Sequence, residues 1–212
     1  ILALSRYYSD FKQMKNGSVL KILIPILMIL FPFYLIINQP DLGTGLLLLF
    51  IGVSIIFVSG VSIPIILFGI MSFSFAIPLV WGILYDYQKR RVLTFLNPDN
   101  DPLGSGYHIA QSKIAIGSGG FFGKGYMKGS QSQLQFIPEI HTDFVFSIFS
   151  EEFGFFGSTI IILLYISIIF YGLVQSLKSQ DNFSKLAIFG LTINIFLYFI
   201  VNISMVIGLL PV

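Results

Sequence analysis

Four long runs without a charged residue constrain the fold of this 212-residue chain more than any other feature. The runs lie at 22–40, 42–85, 153–177 and 186–212. A helix needs about 20 mostly apolar residues to cross a bilayer, and each run approaches or exceeds that length. Because 55% of the residues are hydrophobic and only 10% are charged, a soluble core of this size could not hide so much apolar surface. The sequence therefore predicts an all-α, polytopic transmembrane helix bundle.

The second run is long enough for two spans, and Ser59, Gly60 and Pro64 indicate a turn within it. We therefore predict a single transmembrane domain over residues 1–212 with five spans. The predicted spans are 21–38, 44–60, 64–85, 153–175 and 186–207.

Lysine and arginine in short loops indicate which side of the membrane is cytoplasmic. With five spans, the N-terminal stretch and the loop at 176–185 lie on the same side, and both are basic. We predict that this side is cytoplasmic and that the long loop at 86–152 is extracytoplasmic. The basic residues on the cytoplasmic side are Arg6, Lys12, Lys15, Lys21, Lys178 and Lys185.

A connection as long as 86–152 is far beyond the usual length and is expected to fold or to carry function. Within it, the sequence at 107–117 predicts a short helix that lies at the membrane interface. Tyr107, Ala110 and Ile114 would share one face of this helix, while His108, Gln111 and Ser112 would lie on another.

A glycine-rich stretch follows at 117–129. It does not match the phosphate-binding loop G-x-x-x-x-G-K-[ST], because Ser118 stands where the first glycine is required and Gly125 follows Lys124. Two interpretations stay open. The glycines form turns among surface lysines, or they let the backbone approach a ligand closely while lysines hold an anion. The lysines in question are Lys113, Lys124 and Lys128.

The segment 131–152 concentrates four carboxylates just before an apolar run. Asp143 has two interpretations. Either it or Thr142 caps the following helix, or it is a functional carboxylate retained at a membrane surface despite its desolvation cost. His108 and His141 are too far apart in sequence for a typical histidine metal motif, and the absence of cysteine excludes thiolate sites.

Several blocks resemble the SEDS family of bacterial membrane glycosyltransferases, in particular its RodA-type members. These blocks are QPDLGTG at 39–45, YQKRRV at 87–92, NPDNDPLGSGYHIAQSKIAIGSGG at 97–120, GKG at 123–125 and QSQLQFIPEIHTDFVFSIFSEEFGFFG at 131–157. The resemblance implies a ten-span protein of the bacterial plasma membrane, of which this chain carries spans five to nine. It also implies polymerisation of lipid II during cell elongation, together with a class B penicillin-binding protein. The essential aspartate of the family's TDF motif falls on Asp143.

This resemblance implies roles for individual residues. Asp143 would be the general base that takes the proton of the attacking sugar hydroxyl. Lys113 and Lys124, with Arg91 next, would form a cationic cradle for the departing diphosphate. A divalent cation could share that charge, although the sequence does not identify its ligands. Glu139, Glu151 and Glu152 are expected to position lysines or helix ends rather than to act chemically. The predicted substrate-binding set is completed by Gln111, Ser112, Glu139 and Thr142.

Two other classes of function stay open. A flippase would move a lipid-linked sugar between leaflets without making polymer, although the predicted spans contain no acidic or basic residue apart from Lys21 at the first position of the first span. A scaffold would only recruit a partner polymerase. A nucleic-acid partner is not expected, because the net charge of +2 is small and dispersed. The expected contacts are membrane lipid, lipid II and the crosslinking partner.

Overall fold

The computed structural model describes residues 1–11, 20–39, 41–60, 105–133 and 144–210, together with the single positions 82, 88, 89 and 93. Every regular element in these ranges is an α-helix, which confirms the predicted all-α class for the part described. Apart from position 82, the predicted span at 64–85 lies outside these residues, as do Arg91, Glu139, Thr142 and Asp143. The helices are α1 (Leu2–Phe11), α2 (Leu20–Ile37), α3 (Leu42–Val58), α4 (Ser105–Ser118), α5 (Ser130–Gln133), α6 (Val145–Lys178) and α7 (Asn182–Val206).

The chain divides into two compact units, residues 1–80 with 168–197, and residues 81–167 with 198–212. Helices α1, α2 and α3 belong to the first unit and pack around buried aliphatic side chains. Those side chains are Leu4, Ile29, Ile51, Ile55 and Ile56. The second unit has its own core, in which Ala115 of α4 contacts Phe144 and Val206.

Helices α2 and α3 occupy the first two predicted spans and are joined by a short turn. Asp41 caps α3, since its Oδ1 accepts a hydrogen bond from the Thr44 amide at 3.0 Å. The helix ends at Val58, and Gly60 follows with a φ of 93°, a left-handed conformation that suits glycine. The turn predicted at Ser59 and Gly60 therefore coincides with the end of α3.

Helices α6 and α7 are each long and apolar enough to cross a membrane. The apolar side chains of α6 are largely exposed: Leu163 is 56%, Ile166 51% and Phe170 68% accessible. A helix that exposes such side chains is unsuited to water and suited to lipid. Both helices begin before their predicted spans, α6 at Val145 rather than 153 and α7 at Asn182 rather than 186. The charge-free runs alone did not predict these first turns, because Glu151 and Glu152 interrupt the run in α6 and Lys185 interrupts it in α7.

A short connection joins α6 to α7, and Asp181 stabilises the start of α7. The backbone N–H and the hydroxyl of Ser184 donate to its Oδ2 at 3.0 and 2.9 Å. These hydrogen bonds hold the pKa of Asp181 below its usual range. Across the connection, the Ser176 hydroxyl donates to the Lys185 carbonyl at 2.9 Å, which ties the end of α6 to the first turn of α7.

Helix α4 forms where a helix was predicted, but its packed face differs from the apolar face predicted from sequence. Ile109, Ser112 and Ala115 point inward, whereas Ala110 and Ile114 are exposed. The reason is that the Ser112 hydroxyl donates to the Val206 carbonyl at 2.9 Å, so a polar side chain is satisfied inside the packing.

Candidate functional site

The candidate site is built where α6 is broken by Gly154, which has a φ of 67° and a ψ of −165°. In a continuous helix, the amides of Phe155 and Phe156 would donate to carbonyls four residues earlier. Instead, Phe155 N donates to the Gly120 carbonyl at 2.9 Å and Phe156 N donates to the Phe121 carbonyl at 3.1 Å. These acceptors belong to the segment Gly119–Gly129, which we call the glycine loop.

The carbonyls released by the same break are also satisfied by the glycine loop. The Glu151 carbonyl accepts from the amide of Lys124 at 3.0 Å, and the Glu152 carbonyl accepts from the amide of Gly125 at 2.9 Å. The loop therefore replaces two lost helical hydrogen bonds with four bonds to its own backbone. Because buried backbone groups need partners, the break and the loop stabilise each other.

Close contact between the glycine loop and α6 explains the glycine content of this region. A Cβ atom at Gly119 would collide with the Ser150 carbonyl oxygen, and one at Gly123 would collide with the Glu152 carbonyl. A Cβ at Gly154 would collide with the Gly123 amide. These glycines therefore let the loop approach α6 closely, whereas the predicted approach to a ligand stays a prediction.

Glu151 lies under the glycine loop with its side chain inaccessible to solvent. Its Oε1 accepts from Lys124 Nζ at 2.6 Å and from the amide and hydroxyl of Ser130 at 2.9 and 3.0 Å. Its Oε2 accepts from the Gln131 amide at 3.2 Å. A buried carboxylate is tolerated when it is paired and hydrogen-bonded in this way. The ion pair agrees with the expectation that Glu151 positions a lysine.

Lys124 has protein partners for all three of its ammonium hydrogens. Nζ lies 2.6 Å from Glu151 Oε1, 2.8 Å from Ser118 Oγ and 3.1 Å from Ser130 Oγ. The side chain is still 30% exposed, so one edge of this cluster reaches solvent. Lys124 therefore joins α4, the glycine loop, α5 and α6 at a single point.

The other predicted site residues within the described ranges lie on α4. Lys113 is exposed, and a Cβ placed on Gly208 would come within 2.8 Å of its Nζ, so the ammonium lies against the chain just after α7. Ser112 is fully buried beside Val206, and Gln111 is partly exposed. Within these ranges, Lys113 and Lys124 share no hydrogen bond or ion pair. Lys113 thus lies against the chain after α7, whereas Lys124 is paired with Glu151.

The segment 134–143, which carries Asp143, lies outside the described residues, whereas residues described before and after it make defined contacts. Before it, the Gln131 amide is bound to Glu151. After it, Phe144 is 1% exposed in the core of the second unit, and its carbonyl accepts from the Ser147 hydroxyl at 2.6 Å. Gln131 and Phe144 are therefore each held by contacts with the rest of the second unit.

Sequence analysis missed four members of this cluster: Ser118, Ser130, Gln131 and Gly154. A signal existed for Gly154, because a glycine follows two glutamates at the start of an apolar run. The serines and the glutamine have no such signal, since their role depends on contacts across the fold. Within the described ranges, no three histidine or acidic side chains are grouped as metal ligands.

The long apolar helices with lipid-suited surfaces indicate a membrane protein, and a polar cluster lies in the first part of one of them. The family model described as "Cell cycle protein" (FTSW_RODA_SPOVE) matches residues 1–212. The chain belongs to this family, which confirms the resemblance found in its motifs.

Named relatives support the same assignment. Peptidoglycan glycosyltransferase MrdB of Escherichia coli strain K12 is 46% identical over 190 residues, which are 89% of this chain and 51% of that protein. Stage V sporulation protein E of Bacillus subtilis strain 168 is 38% identical over 214 residues, covering 100% of this chain and 57% of the relative. The chain thus spans about half the length of these relatives.

A solved structure shares the fold. It is described as "Structural coordination of polymerization and crosslinking by a peptidoglycan synthase complex". One of its chains superposes with a TM-score of 0.78 at 28% identity, over 99% of this chain and 57% of that one.

Proposed function

We propose that the protein containing this chain is a peptidoglycan glycosyltransferase that polymerises lipid II during cell elongation. The observation that carries the proposal is the 46% identity to a protein named peptidoglycan glycosyltransferase across 89% of the chain. The site geometry supports it, because a polar, tightly anchored cluster lies where an apolar helix begins. A lipid-linked sugar would present its diphosphate at that level, with its tail in the bilayer.

The proposed topology is a multi-pass protein of the bacterial plasma membrane. Its five spans in this chain would be those predicted from the apolar runs, and the loop at 86–152 would be extracytoplasmic. Two features support this arrangement. The basic residues Lys178 and Lys185 flank the α6–α7 connection, as expected of a cytoplasmic loop. The exposed apolar surface of α6 is suited to lipid.

In the proposed reaction, Asp143 accepts the proton of the acceptor sugar hydroxyl as that oxygen attacks the anomeric carbon of the donor. The bond from that carbon to the diphosphate oxygen breaks, and the configuration inverts. The polyprenyl diphosphate leaves with the bonding electrons, so the main requirement on its side is neutralisation of charge. The described residues Gln131 and Phe144, which precede and follow the segment that carries the base, are held by a hydrogen bond to Glu151 and by burial in the core.

We assign the cationic cradle to Lys113, Lys124 and Arg91. Lys113 is its exposed member on α4. Lys124 would keep its ion pair with Glu151 and donate to a phosphate oxygen by exchanging the Ser118 hydroxyl. Such an exchange retains the charge balance of the buried glutamate. Gln111, Glu139 and Thr142 would contact the sugar or the peptide, whereas Ser112 acts by fixing α4 against Val206.

A crosslinking partner completes the proposal. The structural relative is described as a complex that coordinates polymerisation and crosslinking. We assign to this protein a partner of the same kind, a class B penicillin-binding protein, which would crosslink the strands that the glycosyltransferase produces.

The test is polymerisation of lipid II by the purified full-length protein with its partner. Asp143→Asn should reduce the rate by about 100-fold or more, the usual contribution of a general base. Asp181→Asn, at the connection between α6 and α7, is the matched control and should retain the rate. Normal polymer formation by Asp143→Asn would overturn the assignment of the base. Transfer of labelled lipid between leaflets without polymer, unaffected by Asp143→Asn, would instead identify a flippase.

A further inference from the structure

The glycine loop exposes large aromatic side chains at the surface of the second unit. Phe121 is 59% exposed, Phe122 80% and Tyr126 70%. Neighbouring Met127 is 63% exposed as well. Exposed apolar groups are common singly, but a contiguous group of this kind marks a surface that meets something other than water.

These side chains are held outward by an ordered backbone. Gly123 N donates to the Gly119 carbonyl at 2.8 Å, and Lys128 N donates to the Gly125 carbonyl at 3.1 Å. The loop is also bound to α6 through the four hydrogen bonds that replace the helical ones. The loop therefore has little freedom to turn its aromatic rings inward, and their exposure is a property of the fold.

The aromatic surface continues onto the apolar part of α6. The ring centroid of Phe121 lies 5.6 Å from that of Phe155 and 5.0 Å from that of Phe122. Phe155 is 62% exposed and Phe156 is 57% exposed at the point where the long apolar stretch begins. An apolar surface thus runs from Phe122 through Phe121 to Phe155 in the first turn of the predicted span, with Tyr126 and Met127 exposed on the same loop.

We propose that the glycine loop is a membrane-interface anchor, whose aromatic side chains enter the lipid at the level where α6 leaves the bilayer. Aromatic rings are favoured at this depth, and the Tyr126 hydroxyl can stay hydrated while its ring contacts lipid. Lys128, exposed on the same loop, supplies a cation for lipid phosphate groups. The occupant is lipid, because the surface continues the lipid-suited face of α6.

The anchor has a consequence for the site. Lys124 and Glu151 are attached to the same loop, so insertion of the loop holds their ion pair at the surface of the bilayer. This is the depth at which the diphosphate of a lipid-linked substrate lies. The inference rests on the proposed membrane topology and does not depend on which reaction the protein catalyses.

The test measures the depth of a nitroxide label in the full-length protein, reconstituted into nanodiscs of phosphatidylcholine and phosphatidylglycerol. The 212 residues contain no cysteine, so Phe122→Cys and Tyr126→Cys provide single labelling positions once any cysteine elsewhere is replaced by serine. Phe170→Cys, on the exposed apolar face of α6, is the lipid control. Gln180→Cys, between α6 and α7, is the aqueous control.

Oxygen partitions into lipid and a nickel chelate stays in water, so their ratio of collision rates reports depth. At positions 122 and 126 the ratio should be several-fold above that at 180 and should approach that at 170. A ratio equal to that at 180 would overturn the proposal. Labels shielded from both reagents, with or without the crosslinking partner, would show that protein covers the loop and would overturn it as well. Polymerisation activity is not the readout, so failure here is distinguishable from failure of the proposed function.

Discussion

At the scale of single residues, Glu151 is a fully buried charged side chain, so the loss of its partner would cost much stability. Its carboxylate is shielded from water and receives charge compensation from Lys124 alone among the described cations. The backbone amides of Ser130 and Gln131 add hydrogen bonds but no net charge. Removing one partner of a buried pair leaves the other charge without compensation, which costs more than the pair itself contributes.

We therefore predict that Lys124→Met lowers the free energy of unfolding by about 3 kcal/mol. Glu151→Gln should have a smaller effect, because the remaining lysine is partly exposed and can be hydrated. The double variant should be more stable than the sum of the two single losses predicts, since no buried charge is left. Equilibrium unfolding of the full-length protein in detergent micelles, followed by circular dichroism, measures these values.

Lys128→Met is the matched control for the change at Lys124. Lys128 lies on the same loop and is exposed, so its replacement should change stability by less than about 0.5 kcal/mol. Equal losses at the two lysines would show that the effect reflects the charge of the loop and not the buried pair.

At the scale of elements, the break in α6 determines how the site is assembled. A continuous helix would satisfy its own amides and carbonyls and would offer the glycine loop no backbone partners. With Gly154 in a left-handed conformation, Phe155 and Phe156 bind the loop instead. The part of α6 before Gly154, which carries Glu151, thus contributes to the polar cluster, while the part after Gly154 forms the long apolar stretch.

We predict that Gly154→Ala destabilises the protein by at least about 2 kcal/mol, from the strained φ and the collision with the loop backbone. Gly117→Ala, in α4, meets open space with ordinary helical geometry and should be neutral or stabilise by up to about 1 kcal/mol. Thermal unfolding midpoints of the two variants provide the comparison. A mild effect at Gly154 that matches Gly117 would mean that the loop and α6 can separate at little cost.

At the scale of the whole molecule, the positions of the connections relative to the membrane decide whether the proposed chemistry is accessible to lipid II. Positive charge at Lys178 and Lys185 predicts that the α6–α7 connection is cytoplasmic. The glycine loop is attached to the opposite end of α6 and should face the exterior.

We predict that Lys128→Cys reacts with a membrane-impermeant maleimide in intact spheroplasts. Gln180→Cys should react only after the membrane is permeabilised, because α6 separates the two positions by one crossing. Both side chains are exposed, so a failure to react cannot come from burial within the described structure. Labelling of position 180 from outside would reverse the proposed orientation and would place the site on the wrong side for polymerisation.

The sequence by itself determined the helical class, the position of the apolar helices and the family. Whether a segment favours lipid depends on its own apolar residues and its length. The sequence of each run is therefore enough to locate α2, α3, α6 and α7. The family blocks identified Asp143 and the lysines by resemblance, and the roles of these residues await the experiments above.

Only the tertiary structure showed that Lys124 is paired with Glu151, 27 positions away, and that the glycine loop replaces the broken hydrogen bonds of α6. It also decided that Ser112 faces inward, against the pattern of polarity along α4. The physical reason is the range of the interactions. Hydropathy is summed over neighbours in sequence, whereas the pairing of a buried charge or a freed carbonyl depends on which distant segment the fold brings within hydrogen-bonding distance.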